Sequence, residues 1–167
     1  MSLIFYILQL LSPEPFSETS QKASMESLQS VYESYHTQVY LEKETSCLSR
    51  ILYNETRGQD KLGTILVAQV VVNRMRSGEY PNTACGNLKK KNAFSFYSPR
   101  TKDKKRVYPK YFVDIADKAL KGNYNHLLSK EVKYFKVCTH PSSFFETKLK
   151  FVKKVDKHCM YKKRSVI

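Results

Sequence analysis

The eight residues 65–72, ILVAQVVV, constrain the fold of this chain more than any other stretch. A helix built from them would be apolar around nearly its whole circumference, so other elements would have to enclose it. The valines would also suit a buried strand. The polar residues 73–76, followed by Gly78, are typical of a helix end and favour a central helix. The sequence therefore predicts a domain assembled around this segment.

Residues 47–59, CLSRILYNETRGQ, predict a short helix that begins after Ser46 and stops at Gly58. Apolar residues at helical spacing would bury one face of this helix: Leu48, Ile51 and Leu52. Glu55 lies four residues after Ile51, and therefore on the same face. Burial and the negative end of the helix dipole would both raise the pKa of this carboxyl group, which suits a proton donor. The alternative is an outward Glu55 paired with a nearby arginine: Arg50, Arg57 or Arg74.

The charge is strongly positive. Lys and Arg number 29 against 15 Asp and Glu, giving a net charge of +14 and a pI near 9.6. Such a balance predicts a polyanionic partner: nucleic acid, an anionic membrane surface or an acidic cell-envelope polymer. The twelve Tyr and nine Phe would stack on bases or sugar rings equally well. No sequence pattern of a common nucleic-acid-binding fold supports the first of these partners.

The four cysteines leave several states open. No two of them form a C-x-x-C pair, which argues against a zinc ribbon or a thioredoxin-like site. One metal alternative remains, in which four residues from facing strands bind zinc: Cys138, His140, His158 and Cys159. Disulfides, which need an oxidising compartment, and buried reduced thiols are the other two possibilities.

The N-terminal part differs from the rest of the chain. Residues 2–11 form an apolar run that is too short to span a membrane. Three alternatives remain for this run: the apolar core of a signal peptide, a segment packed on the domain, or a frayed end. Residues 18–44 predict an amphipathic helix, laid on the domain surface or standing as a stalk. We expect an N-terminal segment, residues 1–44, followed by one domain at residues 45–167.

Beyond the central helix, the pattern predicts one more helix and a small sheet. Residues 85–91 end in a basic run typical of a solvated loop. Residues 111–121 show helical periodicity that Gly122 closes. Residues 132–138 and 151–161 predict strands, the second range containing a hairpin turn.

Seven motifs occur in a fixed order between residues 47 and 161, about two thirds of the chain. They are C-L-S-R-I-L-Y-N-E-T-R-G-Q from Cys47, G-T-I-L-V-A-Q-V-V-V-N-R from Gly63, Y-P-N-T-A-C-G from Tyr80, F-S-F from Phe94, A-D-K-A-L-K-G from Ala116, Y-F-K from Tyr134 and H-C-M-Y from His158. In order and spacing they resemble the spore-cortex-lytic (SleB-like) cell-wall hydrolase family, which also occurs among bacteriophage lysis enzymes. Seven motifs in register are specific, although each alone is weak.

The resemblance implies a lysozyme-like α+β fold, mainly helical with a small antiparallel sheet, acting on peptidoglycan. It places the family's catalytic acid on Glu55, the residue that helix phase had already indicated. Candidate residues for the glycan groove are Phe94, Ser95, Phe96, Tyr97 and Tyr134, since aromatic rings pack on sugar C–H faces. We expect a monomer that needs no cofactor and no metal. It would act at the bacterial cell wall or periplasm, in phage-type lysis, after synthesis in the host cytoplasm.

The sequence departs from the family pattern at four positions. Gln59 replaces a second acid, Ala93 a glutamine, Phe96 a tryptophan and Phe135 a histidine. The missing acid favours lytic transglycosylation, in which one Glu is first acid and then base; in a hydrolytic muramidase a second carboxylate would act. Candidates for that carboxylate are Asp60, Glu79, Asp103 and Glu131. A wall-binding protein without activity and a nucleic-acid-binding protein are the non-enzymatic alternatives.

Overall fold

The computed structural model describes residues 18–98 and 107–164. Five helices and three strands follow one another in these residues: α1 (Glu18–Thr56), α2 (Lys61–Arg76), α3 (Ala84–Lys89), α4 (Lys110–Leu120), β1 (Val132–Val137), α5 (Ser143–Lys148), β2 (Leu149–Val155) and β3 (His158–Lys163). The apolar run at residues 2–11 and the candidate Asp103 lie outside the described residues. None of the described helices is both long enough and apolar enough to cross a bilayer.

Helix α1 is continuous, whereas the sequence analysis placed a new helix start at Ser46. No Gly or Pro interrupts residues 18–56, so nothing local breaks the helix. The hydroxyl groups of Ser49 and Thr56 donate to the carbonyls four residues earlier, which satisfies them within the helix. The stop was predicted correctly: the helix ends at Thr56, and Gly58 has a φ of +80°.

The chain divides into two compact units, Met1–Tyr40 and Leu41–Ile167. In the first unit, every described side chain from residue 21 to 40 is exposed. This includes the apolar stripe of the predicted amphipathic helix, whose residues remain 45–71% exposed: Met25, Leu28, Val31, Tyr32, Tyr35 and Val39. All the functional candidates lie in the second unit.

Helix α2 is the centre of the second unit, as the sequence predicted. Its residues are buried without interruption from Gly63 to Arg74, so neighbours enclose it on every side. Asp60 caps its N-terminus by accepting the Gly63 N–H at 2.5 Å. Buried residues of α1 belong to the same core, and α3, α4 and β1 pack against α2.

Glu44 and a disulfide join α3 to α1. The buried Glu44 carboxylate accepts the backbone N–H groups of Ala84, at 2.5 Å, and Cys85, at 3.1 Å. Cys47, one turn after Glu44, is disulfide-bonded to Cys85. The basic run at residues 89–91 is exposed, as expected, whereas the residues before it form a short helix that two hydrogen bonds and a disulfide from α1 stabilise.

The strands form one antiparallel sheet in the order β1-β3-β2, and the β2–β3 hairpin turns at Asp156, where φ is +47°. The short helix α5, which sequence periodicity did not reveal, precedes β2. A disulfide joins Cys138 to Cys159. This bond is incompatible with the zinc alternative that used both thiols, and all four cysteines are paired. The predicted fold class, mainly helical with a small antiparallel sheet, is confirmed.

Candidate active site

Glu55 lies in the last turn of α1, half-buried, on the helix face that carries Ile51 and Leu52. Burial raises the pKa of its carboxyl group, and the positive charge of Arg74 opposes part of that rise. Within residues 18–98 and 107–164, no hydrogen bond contributes to stabilising the carboxylate. The carboxyl group therefore has the partly desolvated surroundings that favour a proton donor.

The surroundings of Glu55 differ from the alternative in which it forms an ion pair with a nearby arginine. The guanidinium of Arg50 lies over the Tyr97 ring at 5.5 Å, and that of Arg57 lies over the Tyr53 ring at 5.7 Å. Of the three arginines considered, Arg74 is the one whose charge lowers the pKa of Glu55. The interaction is a longer-range attraction between a carboxyl group and a buried cation.

Arg74 is 7% exposed and is enclosed by backbone and aromatic rings. Its Nε donates to the Lys133 carbonyl of β1 at 2.7 Å. Its Cζ lies 5.2 Å from the centroid of the Tyr80 ring, 5.7 Å from that of Phe94 and 5.7 Å from that of Phe135. Its Nη1 is buried without a hydrogen-bond partner among the described residues.

Burial lowers the pKa of Arg74, while Tyr80, Tyr134 and Glu55 oppose that shift. The sequence named Arg74, with Arg50 and Arg57, as a possible ion-pair partner of Glu55. Arg74 ties α2 to β1, and it is also the cation that faces the candidate acid. The sequence alone did not separate the three arginines, because the rings that enclose Arg74 come from distant segments.

Tyr80 and Tyr134 form a second contact beside Arg74. Their side chains are hydrogen-bonded, and their ring centroids are 6.4 Å apart. Burial, and then the bond with Tyr134, raise the pKa of Tyr80 to about 12. The phenol thus stays protonated at neutral pH. The predicted groove residue Tyr134 is only partly buried and lies in this cluster.

The other predicted groove residues separate into three groups. Phe94 is 5% exposed and covers Arg74, so its ring belongs to the core. Phe96, partly buried, lies 5.7 Å from Phe94, and Tyr97 packs under Arg50. Ser95 is exposed. The structure brings Phe94 and Tyr134 together around Arg74, with Phe96 beside Phe94.

The positions that depart from the family pattern have packing roles. Phe135 packs edge-on against His158 at 5.4 Å and lies beside Arg74. The Gln59 side chain accepts the Lys157 N–H at 3.2 Å, which connects the end of α1 to the β2–β3 turn. Ala93 is partly buried against the core. His158 itself is 1% exposed and therefore lies in the interior, and this burial lowers its pKa.

The candidates for a second acid differ from Glu55 in their surroundings. Hydrogen bonds from Lys133, at 2.5 Å, and Lys163, at 2.7 Å, lower the pKa of Glu79. Asp60 caps α2, and Glu131 forms an ion pair with Lys162. Among the described residues these three candidates are engaged in structural bonds, and their lysine partners lower the pKa of Glu79 and of Glu131.

A cavity of about 490 Å³ lies at the polar end of α2; of the predicted site residues it contains Glu131, a candidate second carboxylate, but neither Glu55 nor the predicted groove residues. It is lined by Gln69, Asn73, Arg76, Ser77, Asn125, Leu128, Lys130, Glu131 and Lys133. Asn73 there donates to the carbonyls of Ser129 and Val132 and accepts from Gln69, so its side chain serves the packing of α2 against β1.

Two solved structures have the same fold. The catalytic domain of the Bacillus cereus SleB protein superposes with a TM-score of 0.59 and 23% identity, over 72% of this chain and 91% of that domain. The catalytic domain of the germination-specific lytic transglycosylase SleB from Bacillus anthracis gives 0.58 and 24%, over 71% and 93%. The fold is therefore that of these lysozyme-like catalytic domains.

Sequence comparison identifies the family. The model of the family described as Cell Wall Hydrolase matches residues 58–161, more than half of the chain. The chain belongs to this cell wall hydrolase family, as its motifs had indicated. A spore cortex-lytic enzyme of Bacillus cereus is 34% identical over 56 residues. That alignment covers 34% of this chain and 22% of the relative's length. The family match begins three residues after Glu55.

Proposed function

We propose that this chain degrades peptidoglycan by cleaving the β-1,4 bond between N-acetylmuramic acid and N-acetylglucosamine. Glu55 carries the proposal: it is a half-buried carboxyl group at a helix end, with its pKa raised by burial and a buried cation nearby. Membership of the cell wall hydrolase family and the lytic transglycosylase among the structural relatives support the substrate class.

Glu55 acts first as acid and then as base. Its carboxyl proton passes to the glycosidic oxygen as the bond from C1 of the muramic acid residue to that oxygen breaks. The C6 hydroxyl oxygen of the same residue then bonds to C1, and its proton returns to the Glu55 carboxylate. The products are a free 4-hydroxyl group and a 1,6-anhydro end, with no water added.

The surroundings of Glu55 support this single-acid scheme over hydrolysis. The carboxylate formed after proton donation lies in the field of Arg74, which stabilises it without a direct ion pair. The second-acid candidates among the described residues are held in structural bonds. A hydrolytic muramidase would need one of these groups, or Asp103, to activate water.

The setting we propose is phage-type lysis, with synthesis in the host cytoplasm and action at the cell wall or periplasm. The net charge of +14 supports an anionic polymer as partner, because it adds long-range attraction to the wall. Turbidity measurements on a producing host, with and without a membrane-permeabilising agent, test this setting. Lysis only after permeabilisation is expected.

The test of activity is zymography on purified peptidoglycan with wild type, Glu55→Gln and Glu26→Gln. Glu55→Gln keeps the side-chain volume and removes the proton donor, so we expect a loss of about 10³-fold or more. Glu26, exposed in the first unit, is the control for loss of one negative charge. Equal clearing by Glu55→Gln and wild type would remove Glu55 from the catalytic role, and no clearing by wild type would leave a wall-binding protein as the function.

Mass analysis of the soluble products separates the two chemistries. Anhydro ends lighter by one water than reducing ends are expected. Reducing ends would establish hydrolysis instead, and the variants Asp60→Asn, Glu79→Gln, Asp103→Asn and Glu131→Gln would then identify the second carboxylate.

A further inference from the structure

A row of aromatic residues crosses the whole sheet on one face. Tyr134 of β1 pairs with Tyr161 of β3, which in turn pairs with Phe151 of β2. Residues paired across antiparallel strands project to the same face. The ring centroids of Phe151 and Tyr161 are 5.7 Å apart. Met160, the residue before Tyr161 on β3, is fully buried in the core. Neighbouring residues of a strand project to opposite faces, so the aromatic row lies on the outward face.

Helix α5 adds two rings to this row. The Phe144 centroid lies 6.2 Å from that of Tyr134, and the Phe145 centroid lies 5.0 Å from that of Tyr161. None of the α5 residues is buried, although the helix packs beside β2. Phe144 is 50% exposed and Phe151 is 52% exposed. A surface with this much exposed aromatic area is typical of a binding face rather than of a closed core.

The aromatic row is continuous with the candidate active site. Tyr134, at one end of the row, packs edge-on against Tyr80, with the ring centroids 6.4 Å apart. The Tyr80 ring lies 5.2 Å from the guanidinium carbon of Arg74, the cation that faces Glu55. A linear polymer held at Glu55 can therefore continue over Tyr134 along the sheet.

Lysines border the row. Lys136 and Lys154 both pair with Cys159, two positions before Tyr161 on β3, and the Nζ of Lys136 lies 5.9 Å from the Phe145 centroid. Strand β2 contains three lysines and no acidic residue. Rings for apolar sugar faces and cations for carboxylates match a glycan strand that carries acidic peptides.

We infer that the face formed by Tyr134, Tyr161, Phe151, Phe144 and Phe145 binds the peptidoglycan glycan strand at sugars remote from the cleaved bond. The inference rests on the proposed function and names the part of the substrate that this face recognises. Nucleic acid shares the stacking and the charge, but the continuity of the row with Glu55 favours the glycan.

The test uses Phe144→Ala and Phe151→Ala, singly and together, in the full-length Glu55→Gln protein. Co-sedimentation with insoluble peptidoglycan measures binding without cleavage. We expect the double variant to bind about tenfold more weakly, because two stacking rings are lost. Tyr35→Ala, which removes an aromatic ring that is 64% exposed in the first unit, is the matched control and should bind like its parent.

The same substitutions in the active protein separate remote binding from catalysis. On long strands KM should rise about tenfold, and on a minimal tetrasaccharide kcat/KM should match wild type. Equal losses on both substrates, or unchanged binding of long strands, would overturn the inference. Phe151→Leu keeps the apolar bulk without the ring, so it should fold normally and still weaken binding.

Two further outcomes keep the proposals distinct. Wild type that binds strands in a Phe151-dependent way but cuts none would remove the proposed function and leave the binding face intact. Binding of a DNA oligonucleotide that depends on Phe151, with no such dependence for peptidoglycan, would assign the face to nucleic acid instead.

Discussion

Asn73→Asp exchanges one side-chain group in the contact that holds β1 against α2. The Asn73 Nδ2 donates to the carbonyls of Ser129, at 2.9 Å, and Val132, at 3.0 Å, while its Oδ1 accepts from Gln69 at 2.9 Å. The residue is 4% exposed. Asp has nearly the same volume, so no cavity forms, but an ionised carboxylate donates no hydrogen bond. The bond from Gln69 survives. The carbonyl oxygens of Ser129 and Val132, however, would face a carboxylate oxygen in place of an N–H donor.

The magnitude follows from the two lost bonds. Each contributes about 1 kcal/mol, and each of the two carbonyl groups left buried and unpaired costs roughly a further 1–3 kcal/mol, giving about 4–8 kcal/mol in total. For a chain of this size that corresponds to a fall in Tm of roughly 10 °C or more. Thermal and urea unfolding at pH 7, followed by circular dichroism, measure the change.

The control is Asn123→Asp, which makes the same charge change at an exposed position. A difference between the two variants of less than about 0.5 kcal/mol would refute the reasoning, since that is the scatter of ordinary surface substitutions. Activity should fall with stability, because β1 carries both the carbonyl that holds Arg74 and the side chain of Tyr134.

Two further predictions concern the site and its support. Arg74→Met removes the charge that lowers the pKa of Glu55, so the alkaline limb of the kcat profile should move to higher pH. Arg76→Met is the control on the same helix; a profile lowered at every pH without displacement would leave Arg74 a purely structural role. Replacing Cys47 and Cys85 by Ser removes the disulfide that closes a loop with a sequence separation of 38. This should lower the free energy of unfolding by about 4 kcal/mol. Urea unfolding measures this loss, and reductant should destabilise wild type more than the double variant.

Much of the site's framework follows from local sequence. The surroundings of Glu55 depend on the phase of a helix that sequence spacing defines within two turns. The burial of α2 follows from its apolar circumference alone. The stops at Gly58 and Gly122 were predictable because both adopt positive φ after a helix.

The remaining features depend on contacts between distant segments. Helix α3 exists because Glu44, forty residues away, accepts its first N–H groups. Periodicity over six residues is too short to reveal α5. The enclosure of Arg74 by Tyr80, Phe94 and Phe135 brings together three separate segments. Only the folded chain shows which cation faces the acid.

The structure also changes the interpretation of Gln59. In the sequence alone, an amide in place of a family acid favours a mechanism with one carboxylate. In the structure the Gln59 oxygen accepts the Lys157 N–H, and the neighbouring Asp60 N–H donates to Asp156. A carboxylate at this position would accept the same N–H, so this contact does not require an amide, and Gln59 alone does not decide between one carboxylate and two. We therefore base the proposal of a single acid on Glu55, whose carboxyl group is partly desolvated and whose charge after proton donation would lie in the field of the buried Arg74.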